Sequence, residues 1–230
     1  MLDELKLYHK KEPNHHSRFH RREYAEDDLF VGITNPEIRK LVNRSYKDVD
    51  EDELETLLTH RYHEYRLAGL LVLVKRMQKA TEDIKKKIVR IYLSHTAYVN
   101  NWDLVDLSAP QILGTHTYEH DDYSILFDLA QSDDLWQNRI AVVGMLHPIK
   151  QGVMKPATRI IETKLNHPHH LMHKACGWML REIGKQDRAT LNTFIKKHYE
   201  SMPRTMLRYA IEKHEEDKRQ QILKGDLSWM

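Results

Sequence analysis

The sequence predicts an all-α protein in which helix pairs stack into a solenoid. Glycine and proline are scarce among the 230 residues, with eight and seven copies, which favours long helices joined by short loops. Apolar residues recur at three- and four-residue spacing along most of the chain, and this spacing lines one face of a helix. Related helices also recur about every 35–37 residues, an interval typical of helical-repeat proteins.

The clearest local signals are helix starts. Thr34, Pro36 and Glu37 form a helix-start pattern, in which threonine caps, proline fits the first turn and glutamate completes the cap. Asp50 is suited to cap the helix that follows. A short helix is predicted over residues 2–11, and the apolar spacing predicts further helices over residues 62–80, 81–94, 100–113, 121–131, 134–147, 153–166, 168–184, 187–199 and 203–214. Strict alternation of apolar and polar residues is rare, so no strand is expected.

Three of the predicted helices share one pattern, in which a basic residue precedes an apolar run. The basic residues are Arg66, Arg139 and Lys174, and a small residue follows each of them two positions later. Trp102 is the fourth member of this register, although it lacks the basic residue. In chain order the members are Arg66, Trp102, Arg139 and Lys174, at intervals of 36, 37 and 35 residues. Equivalent helices of stacked repeats line one surface, so we expect these four side chains to face a shared concave groove. Chance periodicity is the alternative explanation.

Composition limits the class of protein. Hydrophobic residues make up 40% of the chain and charged residues 30%, as in water-soluble globular domains. No run approaches the roughly 18 apolar residues of a membrane span, and the first residues lack the apolar core of a signal peptide. The one cysteine, Cys176, cannot form an internal disulfide, which fits a reducing cytoplasm. We expect a cytoplasmic monomer with a single domain over residues 1–230, of which residues 1–28 form a variable N-terminal helical segment.

The charged residues are unevenly distributed along the chain. From Lys150 to the end there are 16 lysines and arginines against 9 acidic residues, whereas residues 1–149 contain 20 basic and 25 acidic residues. Residues 91–138 contain no lysine or arginine. A basic C-terminal half favours a polyanionic partner. A solvated charged surface would explain the same asymmetry.

Several residues could carry chemistry. Trp102 and Asp106 are four residues apart, so one helix face would present an indole beside a carboxylate. A buried tryptophan beside an aspartate at a helix start explains that spacing equally well. Gly177, next to Trp178, would let another backbone or a ligand approach closely. Cys176 lies between small residues in an apolar helix, where burial is the expected state.

The 16 histidines raise the question of a bound metal. The densest group comprises His167, His169, His170 and His173. It has no partner cysteines and no His-Glu-x-x-His pattern, which zinc sites commonly use. We therefore expect polar histidines at the surface, with no metal and no cofactor.

Five separated segments resemble the DNA alkylation repair family of AlkD-like glycosylases. The similarity runs from about residue 23 to 213, in the family's order and spacing, over residues 30–36 (FVGITNP), 101–106 (NWDLVD), 136–139 (WQNR), 174–182 (KACGWMLRE) and 204–210 (RTMLRYA). The resemblance implies a HEAT-like, armadillo-type helical-repeat solenoid whose basic concave groove cradles duplex DNA. It also implies removal of alkylated purines, such as 3-methyladenine or 7-methylguanine, in base excision repair in bacteria.

The resemblance further implies roles for individual residues. Asp106 matches the family's catalytic carboxylate, and Trp102 and Trp178 match two aromatic residues at the lesion. Arg139 matches an active-site arginine near the DNA backbone, and Tyr24 is one residue out of register with a further aromatic. The basic residues expected to contact DNA are Arg139, Lys174, Lys185, Arg208 and Arg66.

Two other functions remain open at this point. The same scaffold could bind distorted or branched DNA without catalysis, and base release would distinguish that protein from a glycosylase. It could also hold a protein partner in its groove. A DNA affinity that falls steeply with salt would argue against the second alternative, because counterion release from phosphates produces that slope.

Overall fold

The computed structural model describes residues 1–8 and 28–230 of the chain. It confirms the all-α prediction, since these two ranges contain helices and no strand, apart from an isolated parallel bridge between Leu29 and Tyr62. The residues group into two compact units, Met1–Ile112 and Leu113–Met230, and the single domain over residues 1–230 stays a prediction. Tyr24 and most of the N-terminal segment lie outside the described residues. Within the described ranges no helix has the length and apolar character needed to cross a membrane.

The helices of unit 1 surround one buried helix. Its α-helices are α1 (Leu2–Leu7), α2 (Asn35–Ser45), α3 (Glu51–Leu58), α4 (His63–Met77), α5 (Glu82–Ser94) and α6 (Trp102–Ala109), with a 3₁₀ turn at Thr96–Tyr98. Every side chain of α4 from His63 to Val74 is buried, and α4 packs against α2, α3, α5 and α6. The helix is apolar around most of its circumference because it is enclosed on all sides.

The helix starts predicted for α2 and α3 are confirmed. Thr34 is the N-cap of α2, and its backbone N–H donates to the Glu37 carboxylate at 2.8 Å. Asp50 is the N-cap of α3, where its side chain accepts from the Glu53 N–H at 2.7 Å. Both caps satisfy backbone or flanking N–H groups that a helix start otherwise leaves without partners.

Asp50→Ala should lower the free energy of unfolding by about 1 kcal/mol, because the Glu53 N–H loses its acceptor. Asp50→Asn keeps a capping oxygen and should cost much less. Denaturant unfolding followed by circular dichroism would measure both variants. Equal losses in the two would show that the cap hydrogen bond is not the source of the effect.

Unit 2 is built around one long helix, α12. Its α-helices are α7 (Thr115–His120), α8 (Ser124–Ala130), α9 (Leu135–Gly144), α10 (Leu146–Lys150), α11 (Lys155–Glu162), α12 (His170–Gln186), α13 (Arg188–His198), α14 (Arg204–Ala210) and α15 (Glu216–Leu223). Helix α12 packs against α9, α10, α13 and α14. Its buried residues lie on the sides that face these neighbours.

Three stretches of unit 2 differ from the sequence prediction. The helix predicted over residues 134–147 is divided into α9 and α10, because Pro148 has no N–H to donate to the Gly144 carbonyl. Helices α7 and α15 were not predicted. The sequence between Glu216 and Leu223 is almost entirely polar, so it gives no apolar stripe, although Ile222 is fully buried.

The close approach predicted at Gly177 is confirmed, and the neighbour is the backbone of another helix. A Cβ atom on Gly177 would lie 2.5 Å from the carbonyl oxygen of Met206 and 2.5 Å from Cβ of Tyr209, both on α14. Only glycine therefore allows α12 and α14 to pack at this distance.

Candidate functional site

Two of the predicted catalytic residues lie on α6. Asn101 caps this helix, and its side-chain oxygen accepts from the Trp102 N–H at 2.8 Å. The three residues between Trp102 and Asp106 are buried, whereas Trp102 and Asp106 themselves are half-buried. Helix α6 therefore presents an indole and a carboxylate together on its partly exposed side.

A set of buried polar side chains lies beneath the first turn of α6. The His63 imidazole on α4 donates from Nδ1 to Oδ2 of Asp28 at 3.0 Å and from Nε2 to Oδ2 of Asp103 at 2.9 Å. Arg66, one turn along α4, forms an ion pair with Oδ1 of Asp28. The Asn101 amide donates to Oδ2 of Asp28 at 3.1 Å. None of these five side chains belongs to a residue more than 4% exposed, and we call them the buried charge cluster.

The charges in the cluster stabilise one another. Burial by itself lowers the pKa of His63, but the hydrogen bonds to Asp103 and Asp28 outweigh burial and raise that pKa from 6.5 to about 9. Burial raises the pKa of Asp28, but the hydrogen bond from His63 and the charge of Arg66 outweigh it and lower that pKa from 3.8 to about 2. At neutral pH His63 is therefore an imidazolium, and two cations face two carboxylates.

The position of Arg66 does not match the prediction that it projects into a groove and contacts DNA. Its guanidinium is buried with the cluster and donates to the carbonyls of His60 and Arg61 at 2.8 and 3.1 Å. It also donates to Oδ1 of Asn100 at 3.0 Å. The repeat register predicts only where Arg66 lies along the chain, whereas its acidic partner, Asp28, comes from a distant part of the chain.

Arg139 lies on α9 in unit 2 and is 5% exposed. Its Nη1 donates to the carbonyl of Leu171 at 2.9 Å, near the start of α12. This hydrogen bond links α9 to the first turn of α12. The contact of Arg139 with the DNA backbone stays a proposal.

Three predicted site residues share one side of α12. Lys174, Trp178 and Lys185 are separated by four and seven residues, which returns each to the same helix face. Lys174 and Trp178 are half-buried, and Lys185 is exposed. Both carboxylate oxygens of Glu182 accept from Lys185, at 2.7 and 2.9 Å. Arg208 is exposed on α14, the helix that packs closely against α12.

The cysteine and the histidines near α12 have structural explanations. Cys176 is fully buried, which confirms the sequence prediction, and burial raises the pKa of its thiol to about 12. A thiol with such a pKa is a poor nucleophile. His169 accepts from the Leu171 N–H at 3.1 Å and caps α12, and His173 donates to the carbonyl of His167 at 2.6 Å.

Sequence reasoning missed several residues that hold the candidate site in place. Asp28 and His63 are 35 residues apart in the chain, and no pattern in the sequence connects them. Glu182 could have been predicted from the sequence, because a carboxylate three residues before Lys185 on a helix indicates a local ion pair. Asp103 lies within residues 101–106, where only Trp102 and Asp106 were predicted to act at the site.

Comparison with known proteins agrees with the resemblance seen in the five segments. The family model described as DNA alkylation repair enzyme matches residues 2–214. No curated protein sequence matches the chain. The solved structure of a predicted DNA alkylation repair enzyme from Enterococcus faecalis is similar, with a TM-score of 0.67 and 18% sequence identity over 83% of this chain and 91% of that chain. At this identity the likeness shows a shared fold, whereas the family match spans nearly the whole sequence and includes both α6 and α12, so the chain belongs to the family of DNA alkylation repair enzymes.

Proposed function

We propose that the protein is a monofunctional DNA glycosylase that excises cationic alkylated purines, such as 3-methyladenine and 7-methylguanine, from duplex DNA. The observation that carries this proposal is the joint presentation of Trp102 and Asp106 on the partly exposed side of α6. Family membership supports damaged DNA as the substrate. The proposed reaction requires no cofactor and no second copy of the chain.

The chemistry of a cationic purine suits a single carboxylate. Alkylation at N3 or N7 makes the base positively charged, so the bond between C1′ and N9 breaks and its electron pair neutralises the departing base. Positive charge develops on the sugar, and a fixed Asp106 carboxylate would stabilise it, as an oxyanion hole does with the signs reversed. Water adds at C1′ and loses a proton, which leaves an abasic site. The second carboxylate with which glycosidases protonate a leaving group is not required.

Trp102 and Trp178 supply selectivity in this proposal. The face of an indole attracts a cation by about 0.5–2 kcal/mol, so an alkylated nucleotide is favoured over a neutral one. Both indoles are half-buried, which leaves part of each ring accessible while packing limits its motion. The role of Trp178 at the lesion is proposed from the family resemblance.

The proposed contacts to DNA phosphates lie in unit 2. Lys174, Lys185 and Arg208 are half-buried or exposed, so their charged groups can reach a phosphate. Arg139 is proposed from the family resemblance to act near the DNA backbone. Its side chain is 5% exposed, so the two hydrogen bonds that a guanidinium can make to a phosphate require it to become more accessible when DNA binds. The bond from Arg139 to the Leu171 carbonyl would in addition brace the start of the helix that carries Lys174.

Lys174→Ala, Lys185→Ala and Arg208→Ala should each weaken binding to duplex DNA of any sequence. Each should also reduce the slope of log affinity against log salt by about 1, since one fewer counterion is released. Fluorescence anisotropy of a labelled duplex over a salt series would measure both quantities. Lys150→Ala, an exposed change at the end of α10, is the matched control. Unchanged slopes in all three variants would contradict the assignment.

Base release from methylated duplex DNA tests the proposed function. The purified protein should liberate 3-methyladenine and 7-methylguanine, detected by mass spectrometry, and leave abasic sites in strands that stay intact until alkali treatment. Tight binding without base release would overturn the proposal. Preferential binding of four-way junctions in that case would favour a non-catalytic protein for branched DNA.

A further inference from the structure

Both residues that flank Trp102 belong to the buried charge cluster. Asn101 caps α6 through its oxygen while its amide donates to Asp28 at 3.1 Å. Asp103, in the first turn of α6, accepts from His63 at 2.9 Å. The backbone on each side of Trp102 is therefore tied to groups that α6 does not itself supply.

The two carboxylates of the cluster depend on His63 to different degrees. Asp28 accepts hydrogen bonds from His63, Arg66 and Asn101. Asp103 accepts one from His63, and its other oxygen, Oδ1, is buried without a hydrogen bond among the described residues. A buried carboxylate is costly without donors, so the proton on Nε2 of His63 is the main support for Asp103.

We propose that His63 is a positioning residue for the glycosylase reaction, which bridges Asp28 and Asp103 and thereby fixes the first turn of α6 that orients Trp102 and Asp106. This inference rests on the function proposed above, because it assigns His63 an effect on the rate of base release. Trp102 and Asp106 leave the helix one turn apart, so a rotated or frayed first turn displaces both. A displacement of about 1 Å at a reacting group costs up to about 10²-fold in rate.

The surroundings of His63 give this inference a pH dependence. Among the described residues, the charged groups around the ring are Asp28, ahead of α2, Asp103 from α6 and Arg66 from α4, and Phe30 stacks on the ring with centroids 4.7 Å apart. The pKa of His63 is raised from 6.5 to about 9, so the charged ring stabilises the fold fully below pH 6.5 and loses this effect as pH rises through about 9. Loss of the proton leaves one carboxylate facing a nitrogen lone pair. The rate of base release should fall over the same interval.

His63→Gln removes the charge and cannot donate to both carboxylates in the geometry of the ring. We expect its single-turnover rate at saturating protein to fall by about 10- to 100-fold, while its affinity for unmodified duplex DNA stays unchanged. The wild-type rate should fall between about pH 8 and 10, whereas the lower rate of His63→Gln should stay constant over that interval.

His95→Gln is the matched control, since it too removes a buried histidine of unit 1 that is paired with a carboxylate. Nε2 of His95 lies 2.8 Å from Oε2 of Glu55, and the residue is 8% exposed. This variant should lower the melting temperature without lowering the single-turnover rate. An equal loss of rate in both variants would reduce the role of His63 to general stability and overturn the inference.

A double variant separates charge balance from side-chain shape. His63→Gln with Asp103→Asn removes one charge of each sign, so the cluster is neutral again, and an amide pair can replace the lost hydrogen bond. We expect the double variant to be more stable and more active than His63→Gln alone, with a coupling that a double-mutant cycle measures. Additive losses in stability and rate would contradict the bridging role.

Nitrogen-15 NMR of the histidine side chains provides a test that does not depend on catalysis. The resonances that disappear in His63→Gln should show two protonated nitrogens at pH 7.5, and a neutral ring would overturn the inference. If the wild type releases no base, the proposed function fails by itself. In that case, amide hydrogen exchange tests whether His63 fixes the first turn of α6. The amides of that turn must exchange faster in His63→Gln and not in His95→Gln.

Discussion

Asp106→Asn should lower the rate of 7-methylguanine release by about 10²–10³-fold and leave the affinity for duplex DNA unchanged or slightly higher. Asparagine preserves the size and shape of the side chain but carries no charge to stabilise the cation that forms on the sugar. A loss of this size is typical when one preorganised electrostatic group is removed from a transition state. Single-turnover base release gives the rate, and anisotropy of a labelled duplex gives the affinity.

The matched control for Asp106→Asn is Asp83→Asn. Asp83 is an exposed acid in the first turn of α5, so the change removes the same charge from the same unit and should leave the rate unaltered. A wild-type rate in Asp106→Asn would show that this carboxylate does not stabilise the transition state. A parallel loss of rate and DNA affinity would instead assign Asp106 to binding.

Gly177→Ala should lower the free energy of unfolding by about 1–3 kcal/mol, the usual cost of overpacking. The new methyl group would lie 2.5 Å from the Met206 carbonyl oxygen and 2.5 Å from Cβ of Tyr209, and neither atom belongs to the flexible end of a side chain. Helix α14 must therefore move away from α12. Because α14 carries Arg208 and α12 carries Trp178, DNA affinity should fall as well.

Gly69→Ala provides the comparison, because this glycine is also buried within a helix. Its new methyl group would meet Cβ of Leu57 and Cδ2 of Leu58 at 3.1 Å. The Leu58 methyl can rotate away, and the contact with Leu57 requires α3 to shift by only a few tenths of an ångström. Alanine also favours a helix interior by up to about 1 kcal/mol over glycine, so the net change should be small. Thermal unfolding of both variants, with anisotropy for DNA affinity, would show whether the α12–α14 contact is as strict as described.

The local parts of the fold could be predicted from the sequence. The capping residues Thr34 and Asp50 determine helix starts over three or four residues, so the information is contiguous. The division of the predicted helix over residues 134–147 follows from Pro148, which has no N–H to donate to the Gly144 carbonyl. Helix α15 was missed because its sequence is polar and the helix is held by contacts with other elements, such as the hydrogen bond from Tyr199 to the Ile222 carbonyl at 2.9 Å.

The candidate site was predictable only where its residues share an element. Trp102 and Asp106 lie on one helix, so their spacing sufficed to place them side by side. The predicted repeat register treats Arg66 and Lys174 as equivalent, yet Arg66 is buried and Lys174 is half-buried. The difference arises from Asp28, which is far from Arg66 in the chain, and periodicity carries no information about such partners.

The buried charge cluster also limits how this sequence can diverge. Changing His63, Arg66, Asp28 or Asp103 alone would leave an uncompensated charge in the interior, which proteins tolerate poorly. Relatives without a histidine at the position of His63 should therefore also lack one of the two carboxylates. An alignment of the family should accordingly show covariation among these four distant positions, and the loss of one member should be accompanied by the loss of another of opposite charge.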